Sequence, residues 1–213
     1  MIFVSISEKT LQACLKEMRG HNFVEFRLER IKLNDGDIGK LFSTKSTICI
    51  ATCRPGNLSN LERKRRLIEA IESGASYVDI EVDAPKEIAA EVIQKAKNRK
   101  CKVIVSYHDF NKTPQTAKLE KIVDWCFTTG ADIAKIACKV NSPRDAARLL
   151  GLLASNKDIA VIGMGQKGKI VRVAAPFLGS KISYVSSRKG KETASGQLTK
   201  SEMQKIMKVI KSV

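Results

Sequence analysis

Two residue types that together perform imine chemistry stand 27 positions apart in this chain: His108, in Val-Ser-Tyr-His-Asp-Phe, and Lys135, in Ala-Asp-Ile-Ala-Lys-Ile-Ala. A lysine amine attacks a ketone or aldehyde only when it is uncharged. The setting of Lys135 is apolar apart from Asp132, and a lysine pointing inward there loses hydration. Desolvation and neighbouring cations both lower an ammonium pKa; moving it from about 10.4 to near ~7 takes roughly 4–5 kcal/mol of differential interaction. A histidine within reach of the imine can remove a proton from the adjacent carbon, because the iminium stabilises the carbanion as an enamine. It can then return that proton to a leaving hydroxyl. The plainer alternative is a structural lysine paired with Glu81 or Glu25. A histidine on the preceding strand, at the same height, favours the imine.

The elements that must hold this pair follow the same interval. Arg27, Arg54, Glu81, His108 and Lys135 recur every 27 residues, each at or just past the end of a short β-branched or apolar run. That interval is about one strand, one helix and two short connections. The flanking residues are dissimilar from unit to unit, so the period reports architecture rather than duplication. The patterning predicts strands over 2–6, 22–28, 47–52, 77–82, 102–107, 132–137, 159–163 and 182–186. Helices between them carry start signals: Ser59 with Glu62 and Thr199 with Glu202 as capping boxes, Thr113–Pro114 and Ser142–Pro143 as a cap followed by proline. Gly74 and Gly130 fall where C-caps belong. Eight such units without an internal linker predict a (β/α)₈ barrel, one domain over residues 1–213. Strand parity supports closure. Arg27 shares a face with Glu25, Arg54 with Thr52, Glu81 with Asp79 and His108 with Ser106, while the opposite faces are apolar. Polar faces must then look into a shared centre near the C-terminal rim.

Composition narrows the partners. Lys and Arg outnumber Asp and Glu by 38 to 22, a net charge of +16, which draws in anions. The basic runs 62–66, 95–102 and 187–191 lie on outward helix faces and connections. Aromatics, 5% of the chain, do not interleave with them, so no base-stacking platform is expected and no nucleic-acid partner. No apolar run nears the roughly 18 residues that cross a bilayer. The chain enters a strand directly, without a leader pattern. Its six cysteines read as buried thiols of a reducing cytoplasm, with Cys49 and Cys53 the one close pair. With His21 and His108 as the only histidines, a multi-histidine metal site is not expected.

Arg27, Arg54 and Arg172 at one rim imply an anionic or hydroxylated small molecule, gripped through forked hydrogen bonds, and Glu25 can accept from hydroxyls. Gly163, Gly165 and Gly168 spell GxGxxG, but late in the chain and without an acidic residue to hold a ribose. The segment reads as a flexible barrel loop. Residues 187–196 (SRKGKETASG) read as a mobile lid.

Taken together, Val-Glu-Phe-Arg (24–27), Thr-x-Arg (52–54), Tyr-Val-Asp-Ile-Glu (77–81), Ser-Tyr-His-Asp-Phe (106–110), Asp-Ile-Ala-Lys-Ile-Ala (132–137), the glycine segment ending in Arg172, and Ala-Ser-Gly-Gln (194–197) closely resemble the type I 3-dehydroquinase family. These are Schiff-base enzymes of the shikimate pathway. The resemblance implies a cofactor-free, metal-free syn elimination of water from 3-dehydroquinate. Lys135 would hold the ketone as an imine, and His108 would serve as base at C2 and then as acid toward the C1 hydroxyl. Arg172 and Gln197 would bind the carboxylate, with Thr193 where the family often has serine. Glu25, Arg27 and Arg54 would hold the ring hydroxyls, and Ser5 resembles the family's first pocket residue. It also implies a cytoplasmic homodimer. One departure stands out: many members follow the Thr-x-Arg arginine with Glu-Gly-Gly, whose glutamate orients the histidine, whereas this chain continues Pro55-Gly56-Asn57. Glu81 or Asp79 would support His108 instead, or the ring is held differently. The rival readings are a class I aldolase, which would want a phosphate nest at the last two strands, and a basic nucleic-acid-binding barrel with an inactive pocket.

Overall fold

The computed structural model describes residues 1–34, 36–44 and 46–212; Asp35, Lys45 and Val213 lie outside the described residues. Strands and helices alternate from end to end: β1 (Ile2–Ile6), α1 (Leu11–Met18), β2 (Phe23–Arg27), α2 (Asp37–Phe42), β3 (Ile48–Thr52), α3 (Asn60–Glu72), β4 (Tyr77–Glu81), α4 (Lys86–Asn98), β5 (Lys102–Asp109), α5 (Thr116–Thr129), β6 (Ile133–Lys139), α6 (Pro143–Gly151), β7 (Ile159–Met164), α7 (Lys169–Ala174), β8 (Ser183–Val185) and α8 (Lys200–Lys211). The strands form one sheet in the order β7-β6-β5-β4-β3-β2-β1-β8, and every described pairing is parallel. This is the (β/α)₈ barrel the 27-residue interval predicts. β5 and β6 run two residues beyond their predicted ends, because their ladder continues through His108↔Ala137 and Asp109↔Cys138.

The two faces of each strand sort as parity requires. Val24, Phe26, Val78, Ile80, Val103, Val105, Ala134 and Ile136 point outward into the layer under the helices. Each large apolar side chain removed from water there contributes about 1.5–3 kcal/mol. Inward, Phe3, Ile50, Tyr77, Ile104, Ile133 and Tyr184 fill the barrel. Above this apolar plug the inward positions turn polar: Ser5, Glu25, Thr52, Asp79, Ser106 and Lys135 are all buried. A charged belt is tolerable only because its members pair with one another near the open rim.

The sheet is not laddered all the way round. No strand pairing joins β7 to β8 among the described residues. The barrel closes there through Lys181 N–H donating to the Ile159 carbonyl at 3.0 Å and Val161 N–H donating to Ser180 Oγ at 3.2 Å.

Four expectations are revised. Thr113 does not cap α5; the helix starts after Gln115, and Thr113 Oγ1 donates to the Lys139 carbonyl at 2.8 Å instead. Ser59 accepts from Glu62 N–H at 3.1 Å, but the Glu62 carboxylate turns to Arg65 and Arg66, so only half the capping box forms. Ser142 and Thr199 do head complete boxes, the first with Asp145 and the second with Glu202. The basic run 62–66 is not wholly outward. Arg63 and Arg66 are buried, with Arg66 donating to the Leu28 carbonyl at 2.7 Å. The glycine segment after β7 is a tight turn rather than a flexible loop. A side chain on Gly163 would come within 2.5 Å of the Gly168 carbonyl oxygen, and α7 begins immediately afterwards. The glycines are packing positions.

Among the described residues no helix is long and apolar enough to cross a membrane, and no group of three or more His, Cys, Asp or Glu could hold a metal ion. The six cysteines are free and buried. Burial pushes the Cys49 and Cys53 thiols up to about 12.

Candidate active site

The C-terminal ends of the strands open onto a cavity of about 640 Å³. All nine residues singled out from the sequence line it: Ser5, Glu25, Arg27, Arg54, His108, Lys135, Arg172, Thr193 and Gln197. They converge because each stands on an inward position of its strand, on the connection just after it or, for Arg172, on the short helix α7 that follows β7.

Lys135 lies low in this cavity, buried to 6% exposure. Its Nζ is 2.9 Å from Asp79 Oδ2 and 3.9 Å from Glu25 Oε1. The structural pairing considered from the sequence therefore exists in part, through Asp79 rather than Glu81. Burial lowers the Lys135 pKa below its ordinary value; Asp79 and Glu25 oppose that, while Arg54 reinforces it. Desolvation wins because the acids are shared. Asp79 also accepts from Arg54 Nη2 and from Ser106 Oγ, each at 2.6 Å, and the charges of Arg54 and Lys135 hold its carboxyl far below the usual range despite burial. Glu25 accepts from Ser5 Oγ at 2.6 Å and from Thr52 Oγ1 at 3.0 Å.

Arg54 is fixed by the next strand. Its Nη1 donates to Glu81 Oε1 at 2.6 Å and to Ser106 Oγ at 2.8 Å. Glu81 is gripped from behind by Arg63 of α3, which also donates to the Cys53 carbonyl at 3.0 Å. Several of these bonds, Arg54–Glu81, Thr52–Glu25 and Ser106–Asp79, span 27 residues, so the interval in the sequence is the interval of the hydrogen-bonded belt. Arg27 pairs with Glu29 at 2.7 Å at the rim.

His108 stands beside the lysine on the adjacent strand, though not level with it along the ladder. The register sets His108 against Ala137 and Lys135 against Ser106, so the amine is one inward step deeper than expected. Burial lowers the imidazole pKa well below its ordinary value, with Arg54 and Lys135 adding to the effect. The ring is therefore unprotonated at neutral pH, with a nitrogen free to accept a proton. Neither Glu81 nor Asp79 hydrogen-bonds it; both are committed to the arginines and to Lys135. The ring is instead stacked on Phe110, centroids 5.9 Å apart and 14° from parallel. Phe110 is 69% exposed, an unusual place for a phenyl ring.

Arg172 comes from α7 and is only 3% exposed. Its Nε and Nη2 have no hydrogen-bond partner, and burial lowers its pKa to about 10. Nearby, Gln197 Oε1 accepts from Thr193 N–H at 2.7 Å and its Nε2 reaches Ser5 Oγ at 3.4 Å. The segment expected as a mobile lid is docked. Arg188 pairs with Glu17 and Lys191 with Glu8, both at 2.7 Å, and Gly165 N–H donates to the Ser195 carbonyl at 3.0 Å. Sequence reasoning passed over Tyr184, whose ring lies against Lys135, and Phe110 as a support for the imidazole. Their contacts run between non-adjacent strands or along a connection, where no period points. Chemically, the cavity offers a buried amine, a neutral base above it and an unsatisfied cation at one wall.

The Type I 3-dehydroquinase family model matches residues 2–213. The 3-dehydroquinate dehydratase of Methanococcus vannielii is 35% identical over 210 residues, covering 95% of this chain and 94% of that protein. Among solved structures, 3-dehydroquinate dehydratase from Aquifex aeolicus VF5 is 26% identical with a TM-score of 0.83, covering 100% of both chains. The type I enzyme from Clostridium difficile shares the fold at a TM-score of 0.87 and 23% identity, over 100% of this chain and 92% of that one. With its barrel, its belt of paired charges and these relatives, the chain belongs to the type I 3-dehydroquinase family and is by that membership a hydro-lyase.

Proposed function

We propose that this chain dehydrates 3-dehydroquinate to 3-dehydroshikimate, a step of the shikimate pathway toward chorismate and the aromatic amino acids, through an imine on Lys135. The uncharged amine adds to the substrate ketone, and loss of water gives the protonated imine. His108 takes a proton from C2, and the electron pair runs into the iminium to form an enamine. The enamine then expels the C1 hydroxyl, which receives that proton from His108 and leaves as water. Hydrolysis of the imine consumes one water and frees product and lysine, so one water is lost overall.

The other groups orient the ring. Arg172 and Gln197, with Thr193, take the carboxylate, and Glu25, Arg27, Arg54 and Ser5 face the ring hydroxyls. The observation that carries this reading is the opening of the Lys135 amine, the pKa-depressed imidazole of His108 and the unpartnered guanidinium of Arg172 onto one cavity. The test is reductive trapping. Borohydride added with 3-dehydroquinate attaches substrate mass to the peptide containing Lys135, and Lys135→Ala loses both label and turnover. His108→Ala keeps the imine but loses about 10²–10⁴-fold in rate. A label on another lysine, or none, refutes the mechanism.

A further inference from the structure

Lys135 is bracketed on two sides. Asp79 stands at 2.9 Å, and the face of the Tyr184 ring, from β8 (the next strand but one), lies 4.1 Å from Nζ to its centroid. The Tyr184 side chain is buried, packed against Phe3 with centroids 6.4 Å apart. Its hydroxyl has no hydrogen-bond partner. What fixes its place is therefore the ring and not a polar contact, and a buried hydroxyl left bare is normally selected against. The face of an aromatic ring is its negative side and attracts a cation. The ammonium and the protonated imine are cations, whereas the free amine is not. The charged and titratable groups around the same nitrogen are Asp79 and Glu25 close by, with Arg54, Arg27, His108 and Arg172 lining the cavity.

Resting on the reading that Lys135 forms the imine, we propose that Tyr184 is a positioning residue whose ring face holds the positive charge of this nitrogen, first as ammonium and then as protonated imine, and so sets the pH at which the amine becomes free. The imine must stay protonated to draw electrons from C2, and the ring supports that form without donating or accepting a proton. Asp79 supports it too, but as a fixed charge already divided among Arg54, Ser106 and Lys135.

The experiment reads the amine directly. The full chain is labelled competitively with acetic anhydride across a pH series without substrate, and acetylation of Lys135 is followed by peptide mass spectrometry. Tyr184→Phe keeps the ring and leaves the midpoint where it is in the unaltered chain. Tyr184→Met, which removes the ring, moves the midpoint down by roughly 0.5–1.5 pH units. Pentafluorophenylalanine at position 184 preserves ring shape while reversing its face charge, and moves the midpoint the same way even if the Met variant does not fold. An unmoved midpoint with the fluorinated ring, or a shift in Tyr184→Phe as large as with that ring, overturns the proposal. Because the labelling needs no turnover, absence of imine trapping would count against the catalytic reading alone.

Discussion

Arg172 holds a charge out of water with two nitrogens unsatisfied, and such a group costs stability in the empty protein. Retaining it makes physical sense only if an anion completes it. Replacing Arg172 by Met should therefore leave the thermal midpoint unchanged or raise it. The same change should lower kcat/KM for 3-dehydroquinate by about 10- to 150-fold, from the 1.5–3 kcal/mol of a charged hydrogen bond, mostly through KM. Calorimetry and steady-state kinetics check both halves, and a less stable variant with undiminished substrate capture would contradict the assignment. At this scale the sequence was a good guide to inward-facing residues on strands, since parity places Glu25, Lys135 and His108 without reference to any other element. It was a poor guide to what touches them. Asp79 and Tyr184 as neighbours of Lys135 depend on distances between non-adjacent strands that no linear spacing encodes, and Phe110 beside His108 depends on the path of a connection. Nor does the run Arg54-Pro55-Gly56 announce that an aromatic ring lies against His108.

Among the elements, the connections after β7 and β8 are locked together by absent side chains. Gly196 has φ +77°, and a Cβ there would lie 2.2 Å from the Gly165 carbonyl oxygen. Gly196→Ala should cost at least about 1–2 kcal/mol from the left-handed backbone alone. It should also push the segment bearing Thr193 and Gln197 off the pocket wall, raising KM while Lys135 can still be trapped. Gly190→Ala is the control. Its φ is +83° but no atom lies within 4 Å of the added carbon, so it pays the conformational term and leaves KM alone. Equal KM values for the two variants would show that the close approach has no part in binding. The glycines were visible as GxGxxG, and the pattern was misleading as to flexibility. The motif records a need for close backbone approach, and here the approaching groups are Gly163 on Gly168 and Gly165 on Gly196 rather than a ligand.

For the molecule as a whole, repetition made the fold legible: one strand and one helix every 27 residues leave little but a parallel barrel. The excess of basic residues was harder to apportion, because burial is not written in composition. Arg54, Arg63, Arg66 and Arg172 all turn inward, to carboxylates, to backbone carbonyls or to the cavity. The barrel has one further property that no helical or strand pattern could disclose, the unladdered junction of β7 with β8. A ring fastened by continuous pairing everywhere but one place has a preassigned point of breathing. Amide hydrogen exchange should accordingly be fastest, among the strands, along 159–164 and 183–185. Arg172 belongs to one bank of that junction and Gln197 to the other, so a carboxylate gripped by both would act as a clasp. Binding of the product should then slow exchange at these two strands more than at β3 or β4, coupling occupancy of the pocket to closure of the whole ring.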